Sequence, residues 1–174
     1  TGGWFRIGCP TSQIAKPEVK GAIYRVRKKD APRLDDPRGL KLAWAKLPAD
    51  KVVELLDDPR PAVSDRAMHQ LAKLGPPAVE AVRGNVPRNP SVRARLHAVW
   101  ALTRIDTAEA RGALRFALSD RNPSVRQAAA RSAGLHRDVK AIALLSEMVR
   151  TDQPPVRREA ATALGRIRKP EAVP

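Results

Sequence analysis

The chain has 174 residues, 43% hydrophobic and 29% charged, a balance that fits a globular protein and excludes a disordered one. Its formal charge is +15 and the surplus is spread, with 12 basic and 7 acidic residues through Asp57 and 21 and 11 from Asp58 onward. No apolar run approaches the roughly 18 residues of a membrane helix and no signal peptide opens the chain. The lone Cys9 excludes an internal disulfide or a paired-cysteine metal site.

Residues 1–34 differ in texture from the rest. Residues 2–8 are a short apolar run bounded by glycines, and residues 21–27 are β-branched and aromatic with partial alternation, so both are predicted as strands. Two strands joined by a long polar loop make no stable sheet alone, so this part is expected to be a β remnant of a preceding domain. Residues 35–57 are expected to be a linker with capping helices. Asp36-Pro37 and Leu47-Pro48 punctuate it, and residues 40–47 and 50–56 are predicted as two short helices. The sequence opens without methionine and closes on Glu171-Ala172-Val173-Pro174, which stands where another helix would begin. It is expected to be a segment of a longer protein.

From residue 58 the chain repeats itself. Leu71, Leu102, Ala133 and Leu164 stand 31 residues apart, as do Leu74, Ile105, His136 and Ile167. In the same register Val63, Ala94, Val125 and Val156 coincide, and so do Ala67, Ala98, Ala129 and Ala160. Positions i, i+4, i+8 and i+11 lie on one helix face, and alanine on that face lets neighbouring axes approach closely. Asn122-Pro123 and Asn89-Pro90 supply a capping side chain followed by a proline in the first turn. Partner helices are predicted over residues 108–118 and 139–149, the first capped by Asp106 with Glu109. Each repeat is thus expected to be a helical hairpin opened by the small-residue helix. The predicted fold is all-α, a right-handed solenoid over residues 58–174 preceded by the β remnant.

Asp120 followed by Val125-Arg126, and Asp152 followed by Val156-Arg157 and the run at 163–167, resemble HEAT-like repeats of the short kind found in phycobilin-lyase relatives. That resemblance implies a ladder of Asp and Arg between stacked repeats, carried by Asp120, Arg126, Asp152 and Arg157. Ser64 and the Ala94-Arg95 pair depart from the pattern. The first 60 residues, with the VWALTRID stretch at 99–106, resemble multidomain bacterial proteins that join a sugar-dehydrogenase-type β-propeller, HEAT-like repeats and a c-type cytochrome domain. The resemblance implies a membrane-bound-dehydrogenase-like parent, exported to the periplasm or cell envelope.

The chemistry is sparse. There is no glycine-rich phosphate loop, GxSxG elbow, HExxH or CxxC, and no CxxCH for haem, so the segment is read as non-enzymatic and without cofactor. No two histidines stand one helical turn apart, which argues against a metal site. His136 takes an inner-stripe position, while His97 shares its column with Arg66, Ala128 and Glu159 and is expected at the surface. Charge is more informative. Away from the inner stripe the register gathers His69, Lys73, Trp100, Arg104, Arg131, Arg158 and Arg166, predicting a basic concave face with one aromatic. The function read from the sequence is a scaffold that binds a protein partner or neighbouring domains of its own chain, without membrane insertion. The alternative is a nucleic-acid-binding solenoid, and the aromatic content of 3% argues against stacking on single strands.

Overall fold

A computed structural model describes residues 23, 24, 26, 28–30, 34–85 and 87–172. Contacts divide the chain into two units, Thr1–Arg33 and Leu34–Pro174. The first predicted strand lies outside the described residues. In the second, the described residues Ile23, Tyr24 and Val26 carry no strand and are exposed.

The second unit is helical throughout. Its α-helices are α1 (Ala49–Glu54), α2 (Pro61–Leu74), α3 (Pro76–Asn85), α4 (Val92–Ile105), α5 (Ala108–Ala117), α6 (Pro123–Leu135), α7 (Ile142–Thr151) and α8 (Pro154–Ile167). A single 3-10 turn at Trp44–Lys46 precedes α1, and another at Leu55–Asp57 extends it. The apolar stripe read from the period is the core. Val63, Ala67 and Leu71 of α2, Ala94, Ala98 and Leu102 of α4, Val125, Ala129 and Ala133 of α6, and Val156, Ala160 and Leu164 of α8 are all buried. Each large aliphatic side chain withdrawn from water in this way contributes about 1.5–3 kcal/mol before the entropy of ordering is subtracted.

The helices form two layers. In one, α2, α4, α6 and α8 lie side by side in that order; in the other, α1 meets α3 and α3 meets α5, but α5 and α7 hardly touch. The first layer is close-packed because its facing residues are small. At Gly134 of α6 an added Cβ would lie 2.8 Å from the Ala163 Cα of α8. At the last repeat the tight pair is offset by half a repeat from the expected hairpin, whereas α5 packs on both α4 and α6. Helix α7 packs on α8, which follows it, and hardly on α6, which precedes it. The short Asp152-Gln153 connection is the tight turn; the way from α6 to α7 passes through a further 3-10 turn at Val139–Ala141.

Helix ends follow local chemistry, with two corrections. Asn122 caps α6 through its side chain, with Pro123 at the first helical position, as its residue types predict. Asn89-Pro90 does not cap α4: the cap is Ser91, whose hydroxyl accepts from the Ala94 N–H at 3.3 Å, while Asn89 Oδ1 accepts from the Ser91 N–H. The cap of α5 is Thr107 and not Asp106. Asp106 instead ends α4 in the left-handed conformation, φ 44°. Gly75, Asp106, Arg137 and Arg168 share one register and all have φ between 44° and 67°, so each helix of the small-residue layer is followed by a positive-φ residue at the same register position, and only the first is glycine.

Candidate functional site

The register places the candidate residues in columns across α2, α4, α6 and α8. One column runs His69, Trp100, Arg131, Thr162; the next runs Lys73, Arg104, Leu135, Arg166; Arg158 stands beside them in the column of Asp65, Leu96 and Gln127. Lys73, Arg104, Arg131 and Arg158 are exposed. Among the described residues none of the four has an ion-pair partner, and Arg104 Nη1 donates only to the Trp100 carbonyl at 2.8 Å. Neither α4 nor α6 contains a carboxylate. The outer candidates are partly compensated. His69 lies 3.9 Å from Asp65, and half-buried Arg166 lies 3.9 Å from Glu159, with its aliphatic stem against Gly134. Trp100 does not stand free in the row: it is partly buried and packs against the core.

The Asp and Arg side chains pair between stacked repeats, with Arg95 among them and Arg157 on a carbonyl instead. Asp120 does not pair with the Arg126 side chain of its own motif. Its carboxylate takes both Nε (2.8 Å) and Nη2 (3.1 Å) of Arg95, one repeat earlier, and its main-chain carbonyl accepts from Arg126 Nη1 at 2.8 Å. Arg126 in turn forks onto Asp152 at 2.6 and 2.5 Å. That fork, more than any other contact, holds the Asp152 carboxyl below its ordinary pKa. Arg157 is exposed and donates from Nε to the Val149 carbonyl at 2.8 Å. Sequence reasoning treated Arg95 as a departure because alanine precedes it, yet it shares the register of Arg126 and Arg157 and is 2% exposed.

The rung that should precede Arg95–Asp120 is missing both members, with Ser64 in place of the arginine and Asn89 in place of the aspartate. A different device ties this junction. Asp57 accepts from Ser91 Oγ at 2.7 Å and from Arg93 Nε at 3.0 Å. The Ser91 hydrogen bond, with help from Arg93, lowers the Asp57 pKa. His97, expected at a tolerant surface position, is half-buried, with Nδ1 2.8 Å from the Leu56 carbonyl, and so belongs to the same junction. His136 sits against Asp106 at 3.0 Å while its Nε2 is buried without a partner among the described residues. The described residues contain no group of three or more His, Cys, Asp or Glu that could hold a metal ion. None of their helices is long and apolar enough to cross a membrane.

Comparison with known proteins agrees with this architecture. No curated protein matches the chain. Among solved structures, that of human deoxyhypusine hydroxylase in complex with glycerol is similar over 68% of this chain, with 25% identity and a TM-score of 0.56. The matched part spans 43% of that protein's length. The family of HEAT repeats matches residues 113–174, which hold α6, α7, α8 and the end of α5. The described part of the chain from Leu34 is an α-solenoid, and its last part is similar to HEAT repeats.

Proposed function

We propose that this chain is a non-catalytic HEAT-like scaffold that holds an acidic stretch of a protein partner, or of a neighbouring domain, along the face of α2, α4, α6 and α8. The observation that carries this reading is the row of exposed cations without an ion-pair partner, Lys73, Arg104, Arg131 and Arg158, over α2, α4, α6 and α8, of which α4 and α6 hold no carboxylate. The side-by-side packing of α2, α4, α6 and α8 sets these cations in neighbouring columns of one layer, which supports a shared binding surface. A surface of one sign captures an extended partner of the opposite sign. Residues 1–34 support a further reading, that the parent is a larger exported protein of the dehydrogenase-like kind named by the resemblance; reading the parent gene through both ends tests it. Propeller blades upstream and a CxxCH downstream are the expected result.

The scaffold reading is tested with a fluorescent peptide of twenty Asp and Glu residues and with duplex DNA of random sequence, by anisotropy at low salt. The peptide is expected to bind, and the triple substitution R104E, R131E, R158E to abolish binding while the far-UV spectrum is unchanged. Tighter binding of duplex DNA, with the logarithmic salt dependence of phosphate contacts, would transfer the same face to nucleic acid. Binding of neither at low salt overturns the proposal.

A further inference from the structure

The opposite layer contains a second candidate site, independent of the cationic row. Residues of α3, α4 and α5 line a cleft of about 550 Å³. Its floor is α4 at Val99 and Leu102, and its walls are Val82 of α3 and Ala113 and Phe116 of α5. Phe116 is 75% exposed, an apolar ring left in water at the edge of an apolar cleft. The volume falls in the range of small-molecule sites, roughly 300–1,000 Å³.

The polar groups at the rim decide the sign of the ligand. Arg95 and Asp120 both line the cleft but satisfy each other, and the remaining Arg95 donor is taken by the carbonyls of Asn89 and Pro90. That pair offers nothing to a ligand. Arg83 and Arg121 are the other charged groups of the lining, both exposed. Arg83 is held only by a 3.3 Å contact to exposed Glu80, and Arg121 only by the Asn89 carbonyl at 3.2 Å. The lining is thus an apolar slot with two available guanidiniums at its mouth.

We infer that the cleft between α3 and α5 binds a small amphipathic carboxylate, its apolar body in the slot against Phe116 and its carboxylate between Arg83 and Arg121. Guanidinium forks match a carboxylate in geometry as well as in charge, whereas a cationic amphiphile would meet repulsion and an uncharged one would forgo the rim.

The test is a titration of the whole chain with decanoate, below its micellar concentration, followed by amide chemical shifts. Decanol and decyltrimethylammonium serve as uncharged and cationic comparisons. Decanoate is expected to move amides at the end of α3, in α5 and at 118–122, decanol to do so more weakly, and the cation not at all. The double substitution R83Q, R121Q touches two exposed side chains outside the core. It is expected to weaken decanoate roughly two- to tenfold and leave decanol unchanged. A second variant, A113F, fills the slot and is expected to remove binding of both. Equal binding of all three amphiphiles, an unaltered decanoate affinity in the double variant, or shifts centred on Arg104 and Arg131 instead of the cleft would each overturn the inference. The last outcome leaves the scaffold proposal standing, because it concerns the other face.

Discussion

Gly134 and Gly165 occupy the same place in successive repeats, yet their surroundings give the same substitution opposite signs. At Gly134 a methyl group would stand 2.8 Å from the Ala163 Cα and 3.0 Å from its Cβ, so α6 and α8 must separate. At Gly165 an added Cβ meets nothing within 4 Å, and a helical glycine replaced by alanine restricts the unfolded chain at no steric cost. G134A is expected to lower stability by about 1–3 kcal/mol, as overpacking does, and G165A to raise it by about 0.5–1 kcal/mol. Urea unfolding of the two variants checks this directly, and a stabilised G134A would mean that the layer is looser than the contact implies. Arg95 is the other residue whose identity matters most. Buried at 2% exposure with all three guanidinium nitrogens hydrogen-bonded, it has no apolar substitute that satisfies Asp120 and the Asn89 and Pro90 carbonyls. R95A is expected to cost roughly 3–5 kcal/mol by leaving a carboxylate half-buried and unpaired, and the double variant R95M, D120L less than R95A alone. The thermodynamic cycle over the four proteins measures the coupling.

Between elements, the ladder is an ion-pair device with a defined pH window. Arg126 depresses the Asp152 pKa in the folded chain, so the stability this rung supplies is complete above the unfolded carboxylate value of about 3.9 and is lost as pH falls through the lower folded value. Asp57 and Asp58 are depressed in the same sense, by Ser91 and by Arg60 respectively. Acid unfolding is therefore expected to begin below about pH 4, the range in which these carboxylates take up protons. D152N is expected to flatten the dependence of stability on pH there while lowering stability at neutral pH. Equal slopes for D152N and the parent between pH 2 and 4 would show that Arg126 does not govern this titration. The ladder is also graded along the stack. It runs through the junctions after α4 and α6, and it is replaced by the Asp57–Ser91–Arg93 cluster at the earlier junction, where arginine and aspartate are lost together as Ser64 and Asn89.

For the molecule as a whole, two layers of unequal packing have separated two kinds of surface. The close-packed layer carries the cations without an ion-pair partner, and the looser layer lines the apolar cleft at α3 and α5. The first is a long-range electrostatic surface, whose contacts weaken as the Debye length falls to about 8 Å at physiological salt. The second draws on burial of apolar area and responds little to salt. The two binding experiments therefore separate by ionic strength as well as by variant.

The 31-residue register, read from the residues alone, determined the four inner helices, their buried stripe, the Asn122 cap and the columns that gather Lys73, Arg104 and Arg131. These follow from periodicity, because a helix that buries one face must repeat its apolar residues on that face. The ladder motif was legible as a pattern, but Arg95 was set aside as a departure from it, because sequence spacing does not say which stacked neighbour a long arginine reaches. The Ser91 and Thr107 caps were passed over for the nearer Asn89 and Asp106, since several adjacent residues have capping chemistry and only the backbone path selects one. Trp100 counted as a groove aromatic until packing drew it against the core. The tertiary structure alone decided that α7 pairs with α8, that Arg95 is buried, and that α3, α4 and α5 line a cleft. Each of these depends on distances between helices, which side-chain volumes in contact set and the order of residues along one chain does not.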